Sequence, residues 1–162
     1  MKLYLAGPLF NEAEVNQRKL EGKLLRERFP QLEIFNPIDQ PFNDDKSTLP
    51  TPIDIYEGDT KAVEECDIFI ADLTNNDTGV ACELGIAIYT NTKIIIGINS
   101  DIRLATANKY DVPSISLNHY VLGAIEKNGK LVKSFEEAMK YLEENLEYIC
   151  RYKFYRRELW NQ

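Results

Sequence analysis

Short apolar runs alternate with longer segments of helical periodicity along the chain. Because a strand covered on both faces has apolar residues at successive positions, the runs predict buried strands. The expected strands are Lys2–Ala6, Glu33–Phe35, Asp67–Ala71 and Lys93–Ile98, with a fifth around Val112–Leu117.

The segments between these runs predict helices. The expected helices are Asn11 or Glu12 to about Phe29, Thr51 to about Glu65, Gly79–Thr90, and Ser134 to about Leu146. Apolar side chains at helical spacing are expected to share one face of the first helix, and these are Leu20, Leu24, Leu25 and Phe29. The segment Asn36–Pro52 is rich in Pro, Asn and Asp and is expected to be a long loop. Loops of this length in small domains are commonly functional.

Strands that alternate with helices indicate a parallel sheet with helices on both faces. Residues 1–162 are expected to form a single domain, with residues 148–162 as a C-terminal tail. In such sheets, ligands bind at the carboxyl ends of the strands, near the switch in strand order. The loops that follow Ala6, Ala71 and Ile98 are therefore expected to meet at the site.

Composition excludes several classes of partner. The formal net charge is −7, which argues against binding a nucleic acid polymer, because such binding needs a basic face. No apolar stretch is long enough to span a bilayer, so no membrane partner is expected. The first strand is too short and too interrupted for a secretory signal, which predicts a cytoplasmic protein.

Metal and cofactor chemistry is also unsupported by the sequence. Cys66, Cys82 and Cys150 form no C-x-x-C pair, and His119 is the only histidine. A Gly-x-Gly-x-x-Gly loop and a Walker A lysine loop are both absent, so we expect no cofactor.

The segment DTGVACELG, residues 77–85, carries the main candidate chemistry. Asp77 or Thr78 is expected to cap a helix on which Glu83 borders an apolar stripe. A carboxylate in that position is costly unless it is hydrogen-bonded. Gly79 and Gly85 leave room for a ligand to approach. The alternative interpretation is that Glu83 reaches water at the flank of the stripe and that Asp77 is only a helix cap.

Two further residues have equally ordinary interpretations when each is taken alone. Asp59 lies on the preceding helix, where a solvated carboxylate is the simplest reading. Tyr4 lies within the first strand and fits a core residue whose hydroxyl finds a partner at the edge. A functional role for Asp59 and Tyr4 requires that the fold bring them close to Glu83.

The chain resembles the nucleoside 2-deoxyribosyltransferases from about Tyr4 to Leu142. The resembling segments are LAGPLF at the end of the first strand, the helix with Asp59 before CDIFIADL, and DTGVACELG. The resemblance implies a flavodoxin-like parallel sheet and a homo-oligomer with sites near subunit contacts. It also implies transfer of 2-deoxyribose between nucleobases, with a nucleoside and a nucleobase as the small-molecule partners and no metal or organic cofactor.

The resemblance also implies roles for individual residues. Glu83 would be the nucleophile, Tyr4 would orient it, and Asp59 would face the base. Asp77 would bind sugar hydroxyls, and Asn118 of a neighbouring subunit would reach the 5′ end of the sugar. Gly7 and Gly79 are expected to lie against the substrate.

Two other functions stay open at this point. A sister group hydrolyses deoxynucleoside 5′-monophosphates and has serines where this chain has Asp77 and Asn118. An aspartate beside a phosphate is repulsive, so Asp77 favours a free nucleoside, whereas Arg103 and Lys109 would suit an anionic substrate. A non-catalytic nucleotide-binding module on the same fold is the third candidate.

Overall fold

A single five-stranded parallel sheet organises the computed structural model, which describes residues 1–45, 47, 49–102 and 117–146. The strands are β1 (Lys2–Ala6), β2 (Glu33–Phe35), β3 (Ile68–Asp72), β4 (Ile94–Ile98) and β5 (Lys130–Val132). Their order in the sheet is β2-β1-β3-β4-β5, the flavodoxin-like order. The predicted α/β class is therefore confirmed, and the strand order switches between β1 and β3.

Helices cover both faces of the sheet. They are α1 (Glu12–Arg28), α2 (Pro41–Asp44), α3 (Pro52–Glu65), α4 (Thr78–Tyr89), α5 (His119–Asn128) and α6, described over residues 135–146. Buried residues of α1 and α6 form one core cluster with alternate strand residues, and those of α3, α4 and α5 form a second cluster on the opposite face. Among the described residues, none of these helices combines the length and apolar character needed to cross a bilayer.

The alternation of side chains along β1 decides which residues reach the site. Leu3 and Leu5 point to the face covered by α1 and α6, whereas Tyr4 and Ala6 point to the face covered by α3, α4 and α5. The parallel register places Tyr4 beside Phe35 of β2 and Phe69 of β3. Tyr4 is consequently fully buried at the centre of the sheet.

Several helices begin at the residues that the sequence predicts. Thr51 accepts a hydrogen bond from the Asp54 amide and Asp54 accepts one from the Thr51 amide, which forms a capping box at the start of α3. Ser134 Oγ accepts from the Glu137 amide at 3.2 Å. The Glu137 carboxylate accepts from the amide of Lys133, one residue earlier than a regular capping box would require.

The structure corrects three expectations about local structure. The predicted strand around Val112–Leu117 lies outside the described residues except for Leu117, which is in a bend, and the fifth strand of the sheet is β5. Leu20 does not share the buried face of α1, because its side chain is 49% exposed. The expected loop Asn36–Pro52 contains a 3-10 helix, Pro37–Asp39, and α2, each begun by a proline at its first position.

Candidate functional site

The hydroxyl of Tyr4 donates a hydrogen bond to Oε1 of Glu83 over 2.8 Å. The Tyr4 ring is held between Phe35 and Phe69, with ring centroids 5.3 Å and 5.8 Å away and nearly parallel planes. This stacking fixes the direction of the hydroxyl from the centre of the sheet. Oε2 of Glu83 accepts no hydrogen bond from any residue that the structure describes, so this oxygen remains available to a ligand.

Glu83 lies in a partly buried position that makes its ionised form costly. Burial and, to a smaller extent, the charges of Asp59 and Asp77 raise the pKa of Glu83 from 4.5 to about 7, although the Tyr4 hydrogen bond opposes the rise. Burial and the charges of Glu83 and Asp59 raise the pKa of Tyr4, so its hydroxyl keeps its proton and acts as a donor. The Glu83 carboxyl can therefore be either neutral or ionised near neutral pH.

Asp59 brings a second carboxyl to the same place from α3. The charge of Asp59 raises the pKa of both Tyr4 and Glu83, so its carboxyl lies within electrostatic range of these two side chains. Burial raises the pKa of Asp59 above its ordinary value. Two carboxyls with raised pKa values within electrostatic range of one another, one of them hydrogen-bonded to a tyrosine, are typical of acid–base sites.

Asp77 is the N-cap of α4, as the sequence predicts. Its Oδ1 accepts from the Val80 amide at 2.8 Å, and its Oδ2 has no partner within the described parts of the chain. A Cβ at Gly79 would lie 3.1 Å from Asp77 Oδ1, so the glycine leaves space for the capping carboxylate. One aspartate can thus cap the helix through one oxygen and offer the other to a ligand.

Asn118 lies on a different side of α4 from Glu83. It caps α5, where its Oδ1 accepts from the Tyr120 amide at 2.9 Å. Asn118 and Asp77 line one cavity of about 460 Å³ together with Ala81. Because Glu83 follows Ala81 by two residues, it projects roughly 200° further around the helix axis. Within one chain, therefore, Asn118 and Glu83 do not converge.

Gly7 lies at the switch in strand order, immediately after β1. A Cβ on this residue would lie 2.5 Å from Nη1 and 2.7 Å from Cδ of Arg18. The close packing of Arg18 is thus a sufficient structural reason for glycine at this position. Contact of the Gly7 backbone with a substrate stays a prediction. Arg103 and Lys109 lie outside the described residues.

Comparison with known proteins identifies the family. A model of the nucleoside 2-deoxyribosyltransferase family matches residues 3–143. The chain belongs to this family. An uncharacterized protein of Ureaplasma parvum serovar 3 is 32% identical to this family member over 155 residues, which span 88% of this chain and 94% of that protein.

Solved structures agree with that assignment at the level of the fold. A conserved protein from Enterococcus faecalis V583 superposes with a TM-score of 0.75 at 25% identity, covering 90% of this family member and 98% of that chain. The 2-deoxyribosyltransferase of Bacillus psychrosaccharolyticus superposes with a TM-score of 0.59 at 17% identity, covering 85% of this family member and 90% of that chain. The CMP N-glycosidase of Clostridium botulinum superposes with a TM-score of 0.54 at 18% identity, covering 88% of this family member and 99% of that chain.

Two contributors to the site of this family member were not anticipated from its sequence. Phe35 stacks on Tyr4, and Arg18 packs against Gly7. Arg18 had a detectable signal, because Arg18, Gly22 and Leu25 recur at helical spacing and all three are buried. A charged residue in line with a buried stripe indicates a paired side chain rather than a solvated one.

The substitution Glu83→Gln is expected to stabilise the protein above neutral pH. The pKa of Glu83 is 4.5 in the unfolded chain and about 7 in the folded protein. The stability that comes from its protonation is therefore fully present below pH 4.5 and is lost as the pH rises through about 7. The loss approaches about 3 kcal/mol, and glutamine does not incur it. Urea unfolding at several pH values measures the difference between variant and wild type.

The exposed residue Glu144 of α6 supplies the matched control. Glu144→Gln should change the free energy of unfolding by a small amount that does not vary with pH between about 5 and 8. A Glu83→Gln variant whose advantage is equally constant with pH would show that the Glu83 carboxyl is not buried as described.

Proposed function

We propose that the protein transfers 2-deoxyribose between nucleobases by cleaving the N-glycosidic bond of 2′-deoxynucleosides, with a covalent deoxyribosyl–Glu83 intermediate. The hydrogen bond from Tyr4 to Oε1 of Glu83 supports this most directly. It holds one carboxylate oxygen and leaves Oε2 for attack. Membership in the 2-deoxyribosyltransferase family supports the same choice of reaction.

The first chemical step joins the enzyme to the sugar. Oε2 of Glu83 bonds to C1′ as the C1′–N bond breaks, through a transition state with oxocarbenium character as in glycoside hydrolysis. The electron pair of the broken bond moves to the base, and Asp59, protonated when the base is bound, donates a proton to it. The raised pKa of Asp59 supports this assignment.

The second step reverses the first with a different base. The incoming base attacks C1′, the electron pair of the ester bond returns to Glu83, and the proton of the base passes to Asp59. Two inversions at C1′ give net retention of configuration. Each carboxyl recovers its starting protonation state, so the cycle requires no metal and no organic cofactor.

Substrate recognition in this proposal uses the residues around α4. Asp77 Oδ2 accepts hydrogen bonds from the sugar hydroxyls, and Gly7 and Gly79 lie against the substrate. Asn118 serves the 5′ end of the sugar in the site of a neighbouring subunit of a homo-oligomer, and its position on a different side of α4 from Glu83 supports that arrangement. A 2′-hydroxyl would crowd Glu83 and disfavour the cation, so 2′-deoxy substrates are preferred.

Hydrolysis of deoxynucleoside 5′-monophosphates is the second candidate, and the Asp77 carboxylate counts against it. Asp77 caps α4 through one oxygen, and its charge raises the pKa of Glu83, so it lies within electrostatic range of the proposed nucleophile. A phosphate dianion held there would meet a negative charge. The two reactions therefore differ in the acceptor, a second base or water, and in whether the sugar carries a free 5′-hydroxyl or a 5′-phosphate.

Incubation with deoxyinosine and adenine tests the proposal. Deoxyadenosine and hypoxanthine should appear together, and release of hypoxanthine should be much slower when adenine is omitted. Deoxynucleoside 5′-monophosphates should react poorly. Preferred cleavage of the monophosphates by water would favour the hydrolase, whereas ligand binding without turnover, and without a deoxyribosyl adduct on Glu83 by mass spectrometry, would indicate a binding module.

A further inference from the structure

Arg18 is a buried cation on the face of the sheet opposite to Glu83. It is 2% exposed, and its Nη2 donates to Oδ2 of Asp72 at 2.9 Å and to Oε1 of Glu21 at 3.1 Å. Burial raises the pKa of Glu21 to about 7, although the Arg18 charge opposes the rise. A buried group of charges such as this contributes less to stability than its short distances suggest.

The pairing around Arg18 is also incomplete. Nε of Arg18 is buried without a hydrogen bond to any residue of the described ranges, and Nη1 lies 3.0 Å from Oε2 of Glu21 in a geometry that is not a hydrogen bond. Unpaired buried polar atoms reduce stability. Apolar residues of similar volume in place of Arg18, Glu21 and Asp72 together would fill the same space without these unpaired atoms, and such replacements are often neutral or stabilising. The arginine therefore needs an explanation other than stability of the fold.

That explanation lies in the segments that Arg18 connects. Its guanidinium packs directly against Gly7, which follows β1, and pairs with Asp72, the last residue of β3. Oδ1 of Asp72 accepts from the Thr74 amide at 3.0 Å, and Oγ1 of Thr74 accepts from the Ser100 amide at 3.1 Å. One side chain of α1 is thus linked to the carboxyl ends of β1, β3 and β4.

Glu14, one turn earlier on α1, makes a second connection between the same loops. Its Oε2 accepts from the amide of Phe10 at 2.9 Å, and its Oε1 accepts from Nδ2 of Asn75 at 3.0 Å. Asn75 precedes the α4 cap, Asp77, by two residues. The loop that leads into α4 is therefore held from the α1 side at two points.

We propose that Arg18 is a positioning residue: it fixes the segment from Asp72 to Asp77, and through the start of α4 it sets Glu83 against the Tyr4 hydroxyl. Arg18 itself does not contact the substrate, because it is buried on the opposite face of the sheet. The effect on catalysis rests on the proposed function, whereas the effect on the loop does not. Arginine suits the task because its planar group holds two carboxylates and packs flat against a glycine.

The test compares Arg18→Met and Arg18→Lys with Arg28→Met. Arg28 is the matched control, because it pairs with Glu136 and Glu143 at the exposed end of α1. In Arg18→Met, the kcat for base exchange should fall about 10- to 100-fold, with a much smaller change in KM. Arg18→Lys should recover part of the loss, and Arg28→Met should keep kcat within about twofold.

Amide hydrogen exchange supplies a readout that does not depend on activity. Peptides covering residues 73–80 should exchange faster in Arg18→Met and in Arg18→Lys, and those covering β4 should not change. Unchanged exchange in residues 73–80 of Arg18→Met would overturn the inference. So would an unchanged kcat in a folded Arg18→Met variant when the wild type is active. If the wild type itself lacks base exchange, the proposed function fails, and hydrogen exchange still decides whether Arg18 holds the loop.

Discussion

Replacing Glu83 with alanine is expected to lower the kcat for base exchange by about ten-thousand-fold or more, the loss typical when a covalent nucleophile is removed. Cys82 cannot replace it, because this side chain lines the groove between α4 and α5. Asp59 is not expected to replace Glu83 either, because in our proposal it lies on α3 and faces the base. The decrease is measured by chromatography of the products formed from deoxyinosine and adenine.

A small carboxylate supplied in solution separates loss of the nucleophile from damage to the site. Formate fits the space that alanine leaves, so it should restore part of the C1′–N cleavage in Glu83→Ala and have no such effect on Glu144→Ala. The melting temperature of Glu83→Ala should stay close to that of the wild type, because removal of a partly buried carboxylate offsets the loss of the Tyr4 hydrogen bond. A Glu83→Ala protein that retained full transfer activity would refute the nucleophile assignment.

In the proposed mechanism, a rise in pH affects the activity and the stability of the protein in opposite directions. Attack on C1′ requires the ionised carboxylate, which becomes the main form as the pH rises through about 7. Over the same range the folded state loses the stabilising proton. The site therefore gains reactive carboxylate where the fold loses stability, a relation that is common at active sites.

Most of the fold follows from local patterns that the tertiary structure does not override. β1, β3 and β4 are almost entirely apolar, as strands buried on both faces must be, and the Thr51-Pro52 pair begins α3 where capping chemistry predicts. β5 was missed because it has only three residues and one fully buried side chain. A run that short has too little periodicity to be distinguished from a loop.

The site was less accessible to local reasoning than the fold. Spacing places Glu83 beside an apolar stripe, but its pairing with Tyr4 depends on the register of β1 against β3 and on how α4 packs above them. The family resemblance supplied that pairing in advance, and the hydrogen bond between the two residues agrees with it. The sequence pattern does not predict the role of Arg18, because an apolar stripe that includes the exposed Leu20 lies on a face of α1 rotated away from the buried charged residues.

Asp59→Asn is expected to reduce kcat by about 10²- to 10⁴-fold for ordinary deoxynucleosides, the range typical of a general acid. Asparagine keeps the size of the side chain and can still form hydrogen bonds, but it has no acidic proton to transfer to the leaving base. Removing this carboxyl also removes a charge that raises the pKa of Glu83, so the rise of activity with pH should move to lower pH. Steady-state rates from about pH 5 to 8 measure both effects.

The leaving group decides whether the loss in Asp59→Asn is a loss of proton transfer. A 7-methylated purine deoxynucleoside carries a positive charge on its base and departs as a neutral molecule, so it needs no proton from the enzyme. Asp59→Asn should therefore cleave this substrate at nearly the wild-type rate, while Glu83→Ala should fail on it as on the others. Glu64→Gln, which removes an exposed carboxylate from the same helix, should leave both substrates unaffected. Equal losses in Asp59→Asn on the charged and the neutral substrates would show that Asp59 only shapes the base pocket.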